Sequence, residues 1–313
     1  MKKPLFRGVG TALVTPFDRD GRLDLKMLES ILIFQMENHV DAVILCGTTG
    51  ESPTLSDREK TRLFRSAVQL CGGIIPVIAG VGSNDTLHTQ RLCEAAQSCG
   101  VDGVLCVTPY YNKTTQTGAV QHFRAVASAC TLPMILYNVP SRTGLDLSVE
   151  TVLTLAEEQN ICGIKEACGN MEKIAQILAA CPKGFSVWSG NDQETLPVLS
   201  LGGDGVISVS SNLLPNMVHY TCENFWKGNI ALAAKLQQQL VPLNRLLFQK
   251  TNPIPVKALM PEVGFDCGPC RLPLEQLSAA DKAMYAKAAE AVLKPLLKST
   301  VQESDPDKVN YSD

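Results

Sequence analysis

Residues 134–140 read Met134-Ile135-Leu136-Tyr137-Asn138-Val139-Pro140, and residues 162–167 read Cys162-Gly163-Ile164-Lys165-Glu166-Ala167. Both runs are short, apolar and bounded by turn-forming residues, as buried strands are. Between them, residues 148–158 carry apolar side chains at helical spacing. A buried strand, a helix and a second buried strand make one parallel βαβ unit. Outward in both directions the alternation repeats. Further strand candidates lie at 9–17, 42–47, 76–82, 103–109, 186–192 and 205–210. Helical patterns fill the gaps at 25–34, 57–71, 85–98, 118–129, 171–180, 193–201 and 215–226. Leu25, Leu28, Ile31 and Leu32 share one helix face. Ser56, three residues before Glu59, has the spacing of a capping box. Eight strand–helix units predict a TIM (β/α)8 barrel. The alternative, a doubly wound open sheet, would carry a glycine-rich phosphate fingerprint after its first strand, and none is present.

The pattern changes near residue 228. No strand-like run follows; helices are expected at 230–249, 255–263 and 277–298. The expected organisation is a barrel with the active site over 1–228, a C-terminal helical appendage over 229–298, and a polar, charged tail over 299–313 expected to be disordered. The chain has 313 residues, 45% of them hydrophobic, enough for a large core, and a net charge of −3 that gives no basic surface for nucleic acid. No apolar run approaches the roughly 20 residues that span a bilayer, so no membrane partner is expected. The basic N-terminus lacks a long apolar region after it, which predicts mature, cytoplasmic protein. The twelve cysteines fall mostly in apolar segments and are expected to be reduced thiols. Cys267-Gly268-Pro269-Cys270 has redox-type spacing, but Arg271-Leu272-Pro273 blocks the helix such a motif opens. The four histidines sit at no ligand spacing from a cysteine pair, so no metal site is expected.

A barrel of this kind presents its chemistry at the C-terminal strand ends. There the sequence offers Gly47-Thr48-Thr49-Gly50-Glu51-Ser52, Tyr110-Tyr111, Tyr137, Arg142, Lys165 and Gly190. Alternation puts Gly163 and Lys165 on one strand face and Ile164 on the other. If Ile164 faces the helices, Lys165 points into the barrel. Burying an unpaired ammonium favours the free amine, which a carbonyl-attacking nucleophile requires. The competing possibility is a strand-end lysine paired with Glu166 or reaching out to water. Tyr137, on the neighbouring strand, could move protons for such an amine, or merely pack. Thr48 and Thr49 offer hydroxyls and backbone N–H groups to a carboxylate. Arg142 suits a second carboxylate.

In combination, Gly47–Ser52, residues 137–144 (Tyr-Asn-Val-Pro-Ser-Arg-Thr-Gly), residues 163–167, residues 252–257 (Asn-Pro-Ile-Pro-Val-Lys) and Arg271-Leu272-Pro273 resemble the dihydrodipicolinate synthase / N-acetylneuraminate lyase superfamily over most of the chain. Thr48 and the Ser-Arg-Thr-Gly run resemble its synthase branch rather than the sialate lyases. The resemblance implies a condensation of pyruvate with L-aspartate 4-semialdehyde to 4-hydroxy-tetrahydrodipicolinate, in diaminopimelate and lysine biosynthesis. Lys165 would form the imine with pyruvate, without metal or organic cofactor. Tyr137, Thr48 and Tyr111 would relay protons, Tyr111 reaching in from a neighbouring subunit. Thr48 and Thr49 would hold the pyruvate carboxylate and Arg142 that of the semialdehyde, with Gly190 and Ile207 supplying backbone groups. The implied assembly is a homotetramer, a dimer of dimers. Its lysine-regulated members would use positions matching Ser52, Asn84, His88 and Tyr110; here Asp57, Lys60 and His88 depart from that pattern, which predicts weak or no inhibition by lysine. Two alternatives stand beside it: another pyruvate-dependent class I aldolase or lyase, of the N-acetylneuraminate or sugar-acid type, whose polyol aldehyde would need Arg142 less, and a catalytically dead ligand-binding barrel, which would have lost one of Lys165, Tyr137, Thr48, Tyr111 or Arg142.

Overall fold

The computed structural model describes residues 4–297. Eight parallel strands close into a barrel in sequence order: β1 (Gly8–Ala12), β2 (Ala42–Leu45), β3 (Val77–Gly80), β4 (Gly103–Val107), β5 (Met134–Asn138), β6 (Ile161–Glu166), β7 (Ser186–Ser189) and β8 (Gly205–Ser208). Around it run α1 (Leu25–Glu37), α2 (Asp57–Cys71), α3 (Thr86–Ser98), α4 (Gln116–Ser128), the one-turn α5 (Pro140–Thr143), α6 (Val149–Ala156), α7 (Met171–Ala180), α8 (Thr195–Ser200) and α9 (Pro215–Trp226). The C-terminal region adds α10 (Ile230–Leu247), α11 (Ile254–Leu259) and α12 (Ala279–Ala288). The chain is a TIM barrel with a C-terminal helical region.

Strand alternation sorts the core into two layers. Val43, Val77, Val104, Leu136, Ile164, Val187 and Val206 pack outward against the helices. Ile44, Ile78, Leu105, Ile135, Trp188 and Ile207 fill the interior. At the barrel floor Phe6 stacks on Trp188 with ring centroids 4.8 Å apart. Gly163 makes room for that indole: a Cβ there would lie 2.7 Å from a Trp188 ring carbon and 2.4 Å from the Ser186 carbonyl oxygen. Closure of β8 on β1 uses Gly205, whose φ of +142° and approach to Gly8 no side chain would permit. The Ser56 capping box at the start of α2 is present in full.

The expected strands begin within one residue of the observed ones but run too far. The run 9–17 lies in strand β1 only as far as Ala12; Leu13 still donates its N–H to the Ile44 carbonyl, Phe17 makes an isolated bridge to Leu23, and both stay buried with Val14 in the outer core. The run 193–201 breaks into a 3-10 turn (Asp192–Glu194) and α8, and 255–263 into α11 and a 3-10 turn (Met260–Val263). The run 277–298 is α12 followed by a π turn at Ala289–Leu293. Residue 298 and the tail 299–313 lie outside the described residues. All twelve cysteines are free thiols, ten of them buried. Cys267 and Cys270 sit in irregular backbone, so the redox-type spacing opens no helix.

The C-terminal region is pinned to the barrel mouth by charge. Lys257 on α11 donates to the Glu51 carboxylate at 2.9 Å and to the carbonyls of Thr15 (3.1 Å) and Pro269 (3.0 Å). The other Glu51 oxygen accepts from the Arg271 backbone N–H at 2.8 Å. Arg271 bridges to Glu59 and to the Gly21 and Thr54 carbonyls. Both cations lie over the Phe17 ring, at 4.4 and 4.2 Å from its centroid.

Candidate active site

Lys165 and Tyr137 are direct partners in the β5–β6 register, so they share the inner face. Ile164 packs outward, as alternation requires. Lys165 is 5% exposed, and its Nζ lies 4.3 Å from the Tyr137 ring centroid. Glu166 does not pair with it. That carboxylate points the other way, accepting from Asn138 Nδ2 at 2.7 Å and the Cys168 N–H at 3.0 Å, with Lys173 at 3.5 Å. Burial pushes the Glu166 carboxyl up, against Lys173 and these hydrogen bonds. Lys173 also bonds Asp146, which accepts from the same Asn138 Nδ2, so the end of β5 is braced from outside the barrel.

The carboxylate that Lys165 does influence is Asp192, just beyond β7. Burial raises its carboxyl, while hydrogen bonds from the Ser208 hydroxyl and the Val209 and Ser210 N–H groups, and the Lys165 charge, pull it back. Gly190 lies against the lysine stem. A Cβ there would stand 3.2 Å from Lys165 Cε and 2.7 Å from Ala167 Cβ, so a bare backbone lets the lysine stem pass. Ile207 on β8 packs in the same interior cluster as Tyr137 and Trp188.

A cavity of about 200 Å³ opens beside Tyr137, lined also by Thr48, Arg142, Thr143, Ser52 and Tyr110. Arg142 is carried on α5 rather than in a loop. Thr108 at the end of β4 donates to Thr143, tying that turn to the sheet at 3.1 Å. Arg142 Nη2 donates to the Asn252 carbonyl at 3.3 Å. Thr49 is buried, and its hydroxyl oxygen accepts from Asn252 Nδ2 at 3.0 Å. Thr48, Tyr137 and Arg142 thus meet on one cavity, with Lys165 against Tyr137 and Thr49 just behind.

Tyr111 does not join them within one chain: it has a φ of 73° and is 90% exposed. Of the positions matched to a regulatory site, Ser52 and Tyr110 line the cavity. The Asn84 carbonyl accepts from Asn112 at 2.9 Å. His88 turns to Asp57, at 3.0 Å, and Lys60 is buried, its ammonium pushed down by desolvation. Among the described residues no group of three or more His, Cys, Asp or Glu could hold a metal ion. Sequence reasoning missed Asn138, Asp192 and Asn252 as parts of the site. Asn252 had a signal, since it opens the Asn-Pro-Ile-Pro-Val-Lys string, but 203 residues separate it from Thr49.

The model of the dihydrodipicolinate synthetase family matches residues 5–292. A 4-hydroxy-tetrahydrodipicolinate synthase from Caldicellulosiruptor saccharolyticus is 46% identical over 285 residues, 91% of this chain and 96% of that protein. A dihydrodipicolinate synthase structure from Bacillus anthracis superposes with a TM-score of 0.90 at 39% identity, covering 93% of this chain and 99% of that one. A structure from Cyanidioschyzon merolae, solved with lysine bound, does so with a TM-score of 0.89 at 42% identity, with coverage of 93% and 99%. The chain belongs to the dihydrodipicolinate synthetase family.

Proposed function

We propose that this chain is a lyase of the class I aldolase type that condenses pyruvate with L-aspartate 4-semialdehyde to 4-hydroxy-tetrahydrodipicolinate, on the route to diaminopimelate and lysine. The observation that carries the assignment of roles is the pairing of Lys165 with Tyr137 at the mouth of the barrel, Nζ 4.3 Å from the ring. The neutral Lys165 amine attacks the keto carbon of pyruvate. The carbinolamine loses water to give the imine, and loss of a methyl proton gives the enamine. The enamine carbon attacks the aldehyde of the second substrate, forming the new C–C bond. The amino group of that substrate then attacks the imine carbon, closes the ring and returns the amine to Lys165.

Each proton in this sequence needs a carrier. The Tyr137 phenol and the Thr48 hydroxyl serve inside the chain, and Tyr111 of a second copy completes the relay, in keeping with its exposure. Thr48 and Thr49 take the pyruvate carboxylate. Arg142, held on α5, takes the carboxylate of the semialdehyde. Gly190 and Ile207 present backbone beside the imine. The chemistry needs no cofactor beyond the imine itself. The working form is a cytoplasmic homotetramer, a dimer of dimers. Turnover with pyruvate plus aspartate semialdehyde, against pyruvate plus N-acetylmannosamine, tests the assignment. Product from the first pair alone is expected; product from the second pair alone would overturn it.

A further inference from the structure

We infer that Asn252 is a positioning residue that aims both carboxylate-binding groups of the active site, its side chain acting on Thr49 and its main chain on Arg142. This rests on the function proposed above. Asn252 belongs to the C-terminal region, yet it reaches the barrel mouth and is 6% exposed. Its Nδ2 donates to the Thr49 hydroxyl oxygen at 3.0 Å. Its carbonyl accepts from Arg142 Nη2 at 3.3 Å.

The direction of the first bond matters. A hydroxyl has one proton and two acceptor lone pairs, and its proton rotates to suit its surroundings. With the amide N–H on the oxygen of Thr49, the hydroxyl proton is left free to turn away from Asn252. It then acts as a donor toward a carboxylate, as pyruvate binding requires. The second bond restrains the Arg142 guanidinium through a main-chain atom, which survives any change of the Asn252 side chain. Asn252 Oδ1 is buried and accepts no hydrogen bond among the described residues. The amide therefore has only its donor end engaged, and that end is on Thr49. The position is fixed in turn by the α11 lysine, Lys257, bound to Glu51 two residues beyond Thr49 in the chain.

Two separate readouts follow from the two separate bonds. Asn252→Ala loses the side-chain bond and keeps the carbonyl. The KM for pyruvate should rise roughly three- to tenfold, the usual worth of one such hydrogen bond. The KM for aspartate semialdehyde should stay within about twofold, because the Arg142 contact is untouched. Asn252→Asp keeps the volume, so it serves where the alanine variant does not fold. Its carboxylate accepts the Thr49 proton rather than donating, and should raise the pyruvate KM at least as much. In a Thr49→Val background, either change should add nothing further to the pyruvate KM, since the acceptor is gone. Equal changes in both KM values, an unaltered pyruvate KM in Asn252→Asp, or additive effects in the double variant would overturn the inference. Wild-type protein that turns over neither substrate would overturn the proposed function with it, and so separates the two failures.

Discussion

Removing the ammonium of Lys257 should destabilise the whole chain. The Lys257 side chain is 3% exposed and its partner Glu51 is 0% exposed. All three protons of the ammonium are engaged, with Glu51, Thr15 and Pro269. Lys257→Met keeps the stem and its packing on Phe17, but leaves a buried carboxylate with the Arg271 N–H and the Cys270 thiol and without its counter-charge. Breaking a buried pair by removing one partner costs about 3–5 kcal/mol. For a chain of this size, unfolding entropy near the midpoint is on the order of 0.6 kcal/mol per degree, so the midpoint should fall by about 5–8 °C. Thermal unfolding followed by circular dichroism reads this directly. The companion variants are Glu51→Gln and the double Glu51→Gln/Lys257→Met. With both charges gone, the loss should be less than the sum of the singles by about 2 kcal/mol. A double variant whose loss equals that sum within about 0.5 kcal/mol would refute the argument, because the two charges would then not be coupled.

Further outcomes follow from the site and its surface. The Arg271 hydrogen bond holds the Glu59 carboxyl at about 2, below its usual 4.5. A depressed carboxyl stabilises the fold above its unfolded value and loses that contribution as pH falls toward the folded one, so Glu59→Gln should cost stability at pH 7 and little near pH 2; a cost independent of pH would contradict this. Tyr137→Phe should still bind pyruvate but lose roughly 10²–10⁴-fold in turnover, and near wild-type kcat would reduce Tyr137 to a packing residue. L-lysine should inhibit weakly or not at all, because His88 is paired with Asp57 and offers no carboxylate to an ammonium. One lost charge-assisted bond is worth roughly ten- to a hundredfold in affinity, and strong inhibition at sub-millimolar lysine in an activity titration would count against it.

The barrel was legible because burial imposes a simple grammar. Parallel strands covered on both faces must be apolar, and the Val and Ile residues of β2, β3 and β8 say so without help from the fold. Strand ends were less legible, since Leu13 and Phe17 are as apolar as strand residues while serving a different layer. Lys165 and Tyr137 could be placed on one face by counting alternate residues, because neighbouring strands hold them in register. Arg142 could be placed only near a strand end, because one helical turn, Pro140–Thr143, is too short to leave a periodic pattern. Asn252 and Lys257 act on the 47–52 turn from more than 200 residues away, through contacts that only the folded chain creates. His88 and Asp57 likewise meet across α3 and α2.

The Lys165 amine is the proposed nucleophile on which every later step depends. Incubating the protein with pyruvate and borohydride, then mapping the modified peptides by mass spectrometry, tests it directly, because reduction freezes the imine where it forms. A single pyruvate-dependent adduct is expected on Lys165, absent from Lys165→Arg, whose guanidinium stays protonated and cannot attack. An adduct on any other lysine, or none at all, would contradict it.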